Sequence, residues 1–132
     1  MRCRCHSRRA YKRCCQPLHE GRPAPTPLTL MRSRYCAYAL GLTDYIQRTT
    51  DPSGPHHRHD TEAWTAELQA FSTGTRFTGL DILEAPEPDG DEGTVTFHAG
   101  LCRDGRDVGF AERSRFYRVD GHWLYHDGTP AG

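Results

Sequence analysis

Residues 1–15 read MRCRCHSRRAYKRCC and constrain the chain more than any other stretch. Four of its six cysteines, Cys3, Cys5, Cys14 and Cys15, fall here among six cations and no acid. Vicinal Cys14 and Cys15 cannot easily bridge each other, because the intervening peptide disfavours disulfide geometry. Clustering of this kind is better explained by metal ligation than by a disulfide framework. The spacing is C-x-C-x8-C-C. Cys3 and Cys5 can supply two thiolates from one tight turn. The eight residues between are long enough to loop back, and Cys14 and Cys15 supply two more. A zinc ion takes four such ligands in a tetrahedron, with sulfur at about 2.3 Å. Four thiolates outweigh the charge of a divalent ion, and Arg2, Arg4, Arg8, Arg9, Lys12 and Arg13 would offset the excess and favour deprotonated sulfur. Zn²⁺ is the expected cofactor.

The remainder is modest in core-forming residues. The chain has 132 residues, 36% of them hydrophobic, with a mean hydropathy of −0.77. That length suits one compact body. No apolar run approaches the roughly 20 residues needed to cross a bilayer. The N-terminal cations are not followed by an apolar stretch, so the pattern is not that of a secretory signal. A cytoplasmic protein without membrane contact is expected. Formal net charge is zero, yet residues 1–22 carry seven cations and one acid, whereas the other 110 carry ten cations and sixteen acids. A basic head precedes an acidic body.

The stretch CRCHSRRAYKRCC resembles the SEC-C motif, a small zinc-binding element whose usual form is C-P-C-G-S-G-K-x-Y-K-x-C-C. Cys3, Cys5, Ser7, Tyr11, Lys12, Cys14 and Cys15 match it. Arg4 replaces the proline, and His6 and Arg8 replace both glycines, which would have permitted positive φ. His6 is a competing ligand. Further on, CCQPLHEG, PAPTPLTLMRSRYCAYALG and ERSRFYRVDGHWLYHDG look like the YchJ-like family of small bacterial proteins. That resemblance implies a SEC-C element, here residues 1–22, followed by a nuclear transport factor 2-like α+β domain, here residues 23–132. It implies helices packed on a curved antiparallel sheet, and it leaves the biochemical role poorly defined.

Local patterns agree with such a fold. GRPAPTP at 21–27 reads as a proline-rich link. Thr26 followed by Pro27 predicts a helix start, and Leu28, Met31, Tyr35, Tyr38 and Leu42 form a stripe at helical spacing up to a Gly41 cap. Thr43 is expected to cap a second short helix. Residues 51–60, DPSGPHHRHD, read as a loop. A third helix runs from a cap at Asp60 or Thr61 to about Phe71, with Trp64, Leu68 and Phe71 on one face, and ends at Gly74. Alternation then predicts a four-strand meander, with turns at Asp104-Gly105 and Asp120-Gly121. Helices followed by strands make an α+β domain.

A curved sheet of this type leaves a pocket against its helices. In the strand VGFAERSRFYRV, Phe110, Glu112, Ser114 and Phe116 share one face. If that face is inward, Glu112 needs a cation or donors, with Arg32 and Arg34 as candidates. A polar pocket of Tyr38, Tyr45, Trp64, Glu112, Ser114, Trp123 and Tyr125 would follow, with Glu112 as a carboxylate base. The plainer reading is a core ion pair with packing aromatics. His56, His57 and His59 read as a solvated loop before they read as a metal site. Cys36 and Cys102 read as small packing residues, ahead of a nucleophile pair of Cys102 with His98 or His122. No complete catalytic set is present, and the balance leans away from an enzyme. The basic head fits an acidic protein partner, by analogy with the SecA translocase, whose SEC-C element docks an acidic chaperone surface. Nucleic acid is the alternative partner, weakened by the acidic body. A homodimer through the outer sheet face, at Arg113, Arg115 and Tyr117, is a further expectation.

Overall fold

The computed structural model describes residues 1–131. Four helices, α1 (Gln16–His19), α2 (Pro27–Leu40), α3 (Thr43–Arg48) and α4 (Thr61–Thr73), precede five strands. These are β1 (Arg76–Glu84), β2 (Glu92–Arg103), β3 (Arg106–Asp107), β4 (Phe110–Val119) and β5 (His122–Pro130). The sheet is antiparallel in the order β1-β2-β4-β5, with β3 paired to the end of β2. No helix is long and apolar enough to cross a membrane.

The central helix begins where Thr26 and Pro27 place it. Thr29 N–H donates to Thr26 Oγ1 at 3.1 Å, and Thr26 N–H returns a bond to Thr29 Oγ1 at 3.2 Å. This reciprocal pair satisfies two donors that the first turn leaves free. Gly41 ends the helix at φ 74°, a left-handed cap. The apolar stripe is only part of what α2 buries. Leu30, Ser33, Arg34, Cys36 and Ala37 are buried as well, because the sheet covers one side of the helix and the cysteine-rich head covers another. A helix enclosed from two directions loses the single-stripe signature. Thr43 does not cap α3; it is the first helical residue, and Leu42 precedes it with no side-chain cap. Asp60 does cap α4, accepting from Ala63 N–H at 3.0 Å.

Both Asp-Gly pairs form hairpin turns with two successive positive φ angles: 51° and 75° at Asp104-Gly105, 51° and 80° at Asp120-Gly121. That pattern is the type I′ turn, which matches strand twist. The first turn leads into the two-residue β3, which raises the strand count from the expected four to five. In register, Val95 faces Ser114 and Phe97 faces Glu112 across β2 and β4. Val95, Phe97, Ala99, Leu101, Ser114 and Phe116 are all buried, and Arg113 and Arg115 point to solvent. A bulge between Arg115 and Phe116 in the β4–β5 pairing adds local bend to the sheet.

The head is folded onto the body. An isolated bridge joins Arg2 to Ala10, and a 3-10 turn spans Tyr11–Arg13. Arg32 Nη1 on α2 donates to Cys5 O at 3.2 Å, and Arg48 on α3 donates to His19 O at 2.7 Å. His19 Nε2 donates to Ser33 O at 2.9 Å, while its Nδ1 accepts from Tyr11 OH at 2.7 Å. Burial lowers the His19 pKa, which suits an imidazole used as donor at one nitrogen and acceptor at the other.

Candidate functional site

The four head cysteines converge. The Sγ atoms of Cys3, Cys5, Cys14 and Cys15 all lie within 4.8 Å of one another. Cys5 and Cys14 are 3.6 Å apart and Cys14 and Cys15 are 4.0 Å apart, far beyond a disulfide bond of about 2.05 Å. A tetrahedron with arms of about 2.3 Å has sulfurs about 3.8 Å apart, so these thiols fit a metal ion. Cys3, Cys5 and Cys15 are buried and Cys14 is half-buried.

Close thiols share protons. Cys5 is drawn down to about 4, chiefly by the bond it accepts from Cys15. Cys15 is pushed up, its proton being held between Cys36 and Cys5, and burial raises Cys3 to about 12. A cation entering this cluster would displace those protons.

The two glycine replacements show how the loop closes. His6 at φ 64° and Arg8 at φ 72° occupy the left-handed region, the conformation that glycine would take without strain. Each non-glycine residue held there costs on the order of 1–2 kcal/mol. The loop therefore keeps its shape against a local penalty, with the sulfur cluster as the constraint. His6 does not enter the cluster: its Nε2 lies 3.3 Å from Phe77 O on β1, and its ring packs edge-on against Tyr35.

Cys36 packs in the interior as expected, but against the sulfur quartet. It is fully buried, and its Sγ on α2 lies 3.8 Å from Cys3 Sγ. Its pKa is lowered, first by a bond from the Cys15 thiol. A fifth sulfur thus adjoins the quartet from the body side. Its separation of 21 residues from Cys15 hid it, and only the buried face of α2 toward the head could have revealed it.

On the other side of α2, a cavity of about 480 Å³ opens between helices and sheet. It brings together five of the seven residues expected there: Tyr38, Trp64, Glu112, Ser114 and Tyr125. Tyr45 is elsewhere, its hydroxyl 2.6 Å from Ser33 Oγ and its ring against His19. Trp123 is buried but outside the cavity, beneath the Arg118 guanidinium. Neither expected arginine pairs with Glu112. Arg32 is committed to the head, and Arg34 donates from Nη1 to Ile46 O, Thr49 Oγ1 and Thr50 Oγ1. The Glu112 carboxylate is held instead by hydroxyls, with Ser114 Oγ at 2.5 Å and Tyr125 OH at 3.3 Å from Oε2. Gly128 makes room for it, since a Cβ at that position would overlap the carboxylate. Burial, and after it that charge, push the Tyr125 phenol above its ordinary range.

The remaining candidates form no further metal-binding group among the described residues. His57 packs near His59 and Trp64, and His56 near Tyr125. Among the described residues, the cysteine quartet is the one group placed to hold a metal. Cys102 and His98 are both on β2, four positions and so about 13 Å apart along the strand, and His122 starts β5 beyond the second hairpin turn.

Comparison with known proteins agrees with this architecture. Residues 26–128 match the family model described as YchJ, middle NTF2-like domain. A UPF0225 protein of Deinococcus radiodurans is 46% identical over 127 residues, covering 95% of this chain and 86% of that one. A UPF0225 protein of Streptomyces coelicolor is 40% identical, covering 96% and 93%. The solution structure of a SEC-C motif protein from Rhodopseudomonas palustris superposes with a TM-score of 0.83 at 36% identity, covering all of both chains. A SEC-C motif protein from Psychrobacter arcticus shares the fold at TM-score 0.79 and 23% identity, covering all of this chain and 84% of that one. With its cysteine quartet beside an α+β body of this topology, the chain belongs to the YchJ-like family of SEC-C motif proteins carrying an NTF2-like domain.

Proposed function

We propose that Cys3, Cys5, Cys14 and Cys15 hold one Zn²⁺ ion and that the metal-bound head is a docking element for an acidic protein surface in the cytoplasm. Four sulfur donors with no open position suit a structural zinc site rather than a catalytic one. When bound, the ion cross-links the two ends of the 3–15 loop. The observation that carries the docking reading is the state of the cations. Arg2, Arg4, Arg8, Arg9, Lys12 and Arg13 are all exposed, and none of them takes part in an ion pair among the described residues. Arg2 and Arg9 are instead held by backbone carbonyls, those of Arg8 and Arg13, which fixes charge on the head surface without neutralising it. Fixed positive charge steers and selects a negative partner more than it adds raw affinity.

Nucleic acid is the second reading, since the same cations could neutralise several phosphates. The acidic body, with sixteen acids and ten cations beyond residue 22, favours a compact acidic partner over a long polyanion. Fluorescence anisotropy of the zinc-loaded full chain against a short peptide mixing Asp and Glu with apolar residues and against a single-stranded oligonucleotide, at low and physiological salt, separates the two. The peptide is expected to bind at both salts and to be lost in a Lys12→Glu/Arg13→Glu variant. Tighter binding of the oligonucleotide at physiological salt would overturn the docking reading.

A further inference from the structure

The geometry points to the cavity between α2, α4 and the sheet as a binding site for a small organic acid, with its apolar body against Trp64, Phe71 and Phe97 and its carboxylate on Arg34. Arg34 is 8% exposed and lines the cavity. A buried charge is costly unless it is paired, yet Arg34 forms no ion pair among the described residues. Its three hydrogen bonds all leave from Nη1 and all end on neutral oxygens, at 3.2, 2.7 and 3.2 Å. Among the described residues, the N–H groups of Nε and Nη2 make no hydrogen bond. The guanidinium sits 4.8 Å from the centre of the Tyr125 ring, a cation–π contact that compensates part of its charge without supplying an anion.

The carboxylate that could have served is engaged elsewhere. Glu112 Oε2 takes the Ser114 and Tyr125 hydroxyls, while Arg34 lies against the Tyr125 ring rather than on that carboxylate. A carboxylate from outside the chain would supply the counter-ion that Arg34 lacks among the described residues. The two planar forks match best: a guanidinium edge meets a carboxylate through two parallel bonds. The cavity's size and aromatic walls suit a ligand of metabolite size with an apolar body. Entry lies past Phe110, which is 44% exposed, and past the exposed ion pair between Arg58 of the 51–60 loop and Glu67 of α4. This site lies across α2 from the sulfur cluster, so it does not depend on what the head docks.

The test is calorimetric titration of the zinc-loaded full chain with phenylacetate, indole-3-acetate and isovalerate, and with phenylacetamide as the uncharged counterpart. At least one acid is expected to saturate a single site, and phenylacetate to bind roughly tenfold or more tighter than its amide, the loss expected when a buried charge goes unmatched. An Arg34→Gln substitution, which removes the charge, should remove that preference. Because Arg34 also ties α2 to α3, Glu112→Gln is measured beside it: removing one of the two carboxylates that line the cavity, Glu67 and Glu112, should leave acid binding unchanged or tighter. Ligand-induced NMR shifts should fall on Trp64, Phe71 and Tyr125. No binding by any acid at millimolar concentration, equal binding of acid and amide, weakened binding in Glu112→Gln, or shifts confined to the exposed head arginines would each overturn the assignment.

Discussion

The two halves of this molecule are held by different physics. The body has an apolar core in which Leu30, Ile46, Val95 and Phe116 are each no more than 2% exposed. The head has almost none. Its buried residues are Cys3, Cys5, Cys15 and Leu18, and its loop holds two non-glycine residues at positive φ. A stretch with that little apolar burial cannot offset its own ordering entropy. It needs a cross-link, and the sulfur quartet together with hydrogen bonds to α2 and α3 provides the means. The contrast explains why cations crowd the head: they do not build a core, and they favour thiolates while remaining exposed.

The largest effect that could break this contrast is loss of a ligand. Cys14→Ser should abolish stoichiometric zinc retention, since structural zinc sites are worth about 10–16 kcal/mol of apparent binding energy. Amide protection in the sheet should nevertheless persist, and NMR spectra of the variant would show it. The converse substitution is Phe116→Ala. Truncating this side chain, 1% exposed, should destabilise the body by about 3–5 kcal/mol, read by denaturant titration with zinc content unchanged under native conditions. If both substitutions melted the whole chain in one transition, the two halves would be one cooperative unit.

A smaller effect sharpens the boundary between the halves. Cys36 belongs to the body by chain position and to the head by contact. Its substitution by alanine should leave one zinc per chain but weaken zinc binding roughly 10–100-fold, the range found when groups supporting metal ligands are removed. Competition with a chromophoric chelator would measure it. Abolished stoichiometry would make Cys36 a direct ligand instead. Smallest is Thr26→Ala at the start of α2, where loss of the reciprocal cap should cost about 1 kcal/mol, visible as a lowered denaturation midpoint.

What the sequence disclosed follows from how local each signal is. The cap at Thr26, the Gly41 stop, both Asp-Gly turns and the inward face of β4 rest on neighbouring residues, and all were legible. The quartet was legible for the same reason, as four sulfurs within thirteen positions. Contacts between distant segments were not. Cys36 reaches the cluster only because the head lies on α2, and Tyr45 leaves the cavity because its hydroxyl finds Ser33. Arg32 and Arg34 are two positions apart, and helical geometry turns one to the head and the other to the cavity. The sequence offered both as candidate partners for Glu112, whose partners proved to be its own strand neighbour Ser114 and Tyr125.

The most direct measurement combines elemental analysis with hydrogen exchange of residues 1–22 on one untagged sample, before and after chelation. One zinc per chain is expected, with slow exchange in the head that becomes fast when the metal is removed while β2 and β4 stay protected. Fully reduced, metal-free chains whose head amides exchange as slowly as those of the metal-loaded protein would contradict the claim that a thiolate-bound ion organises the head.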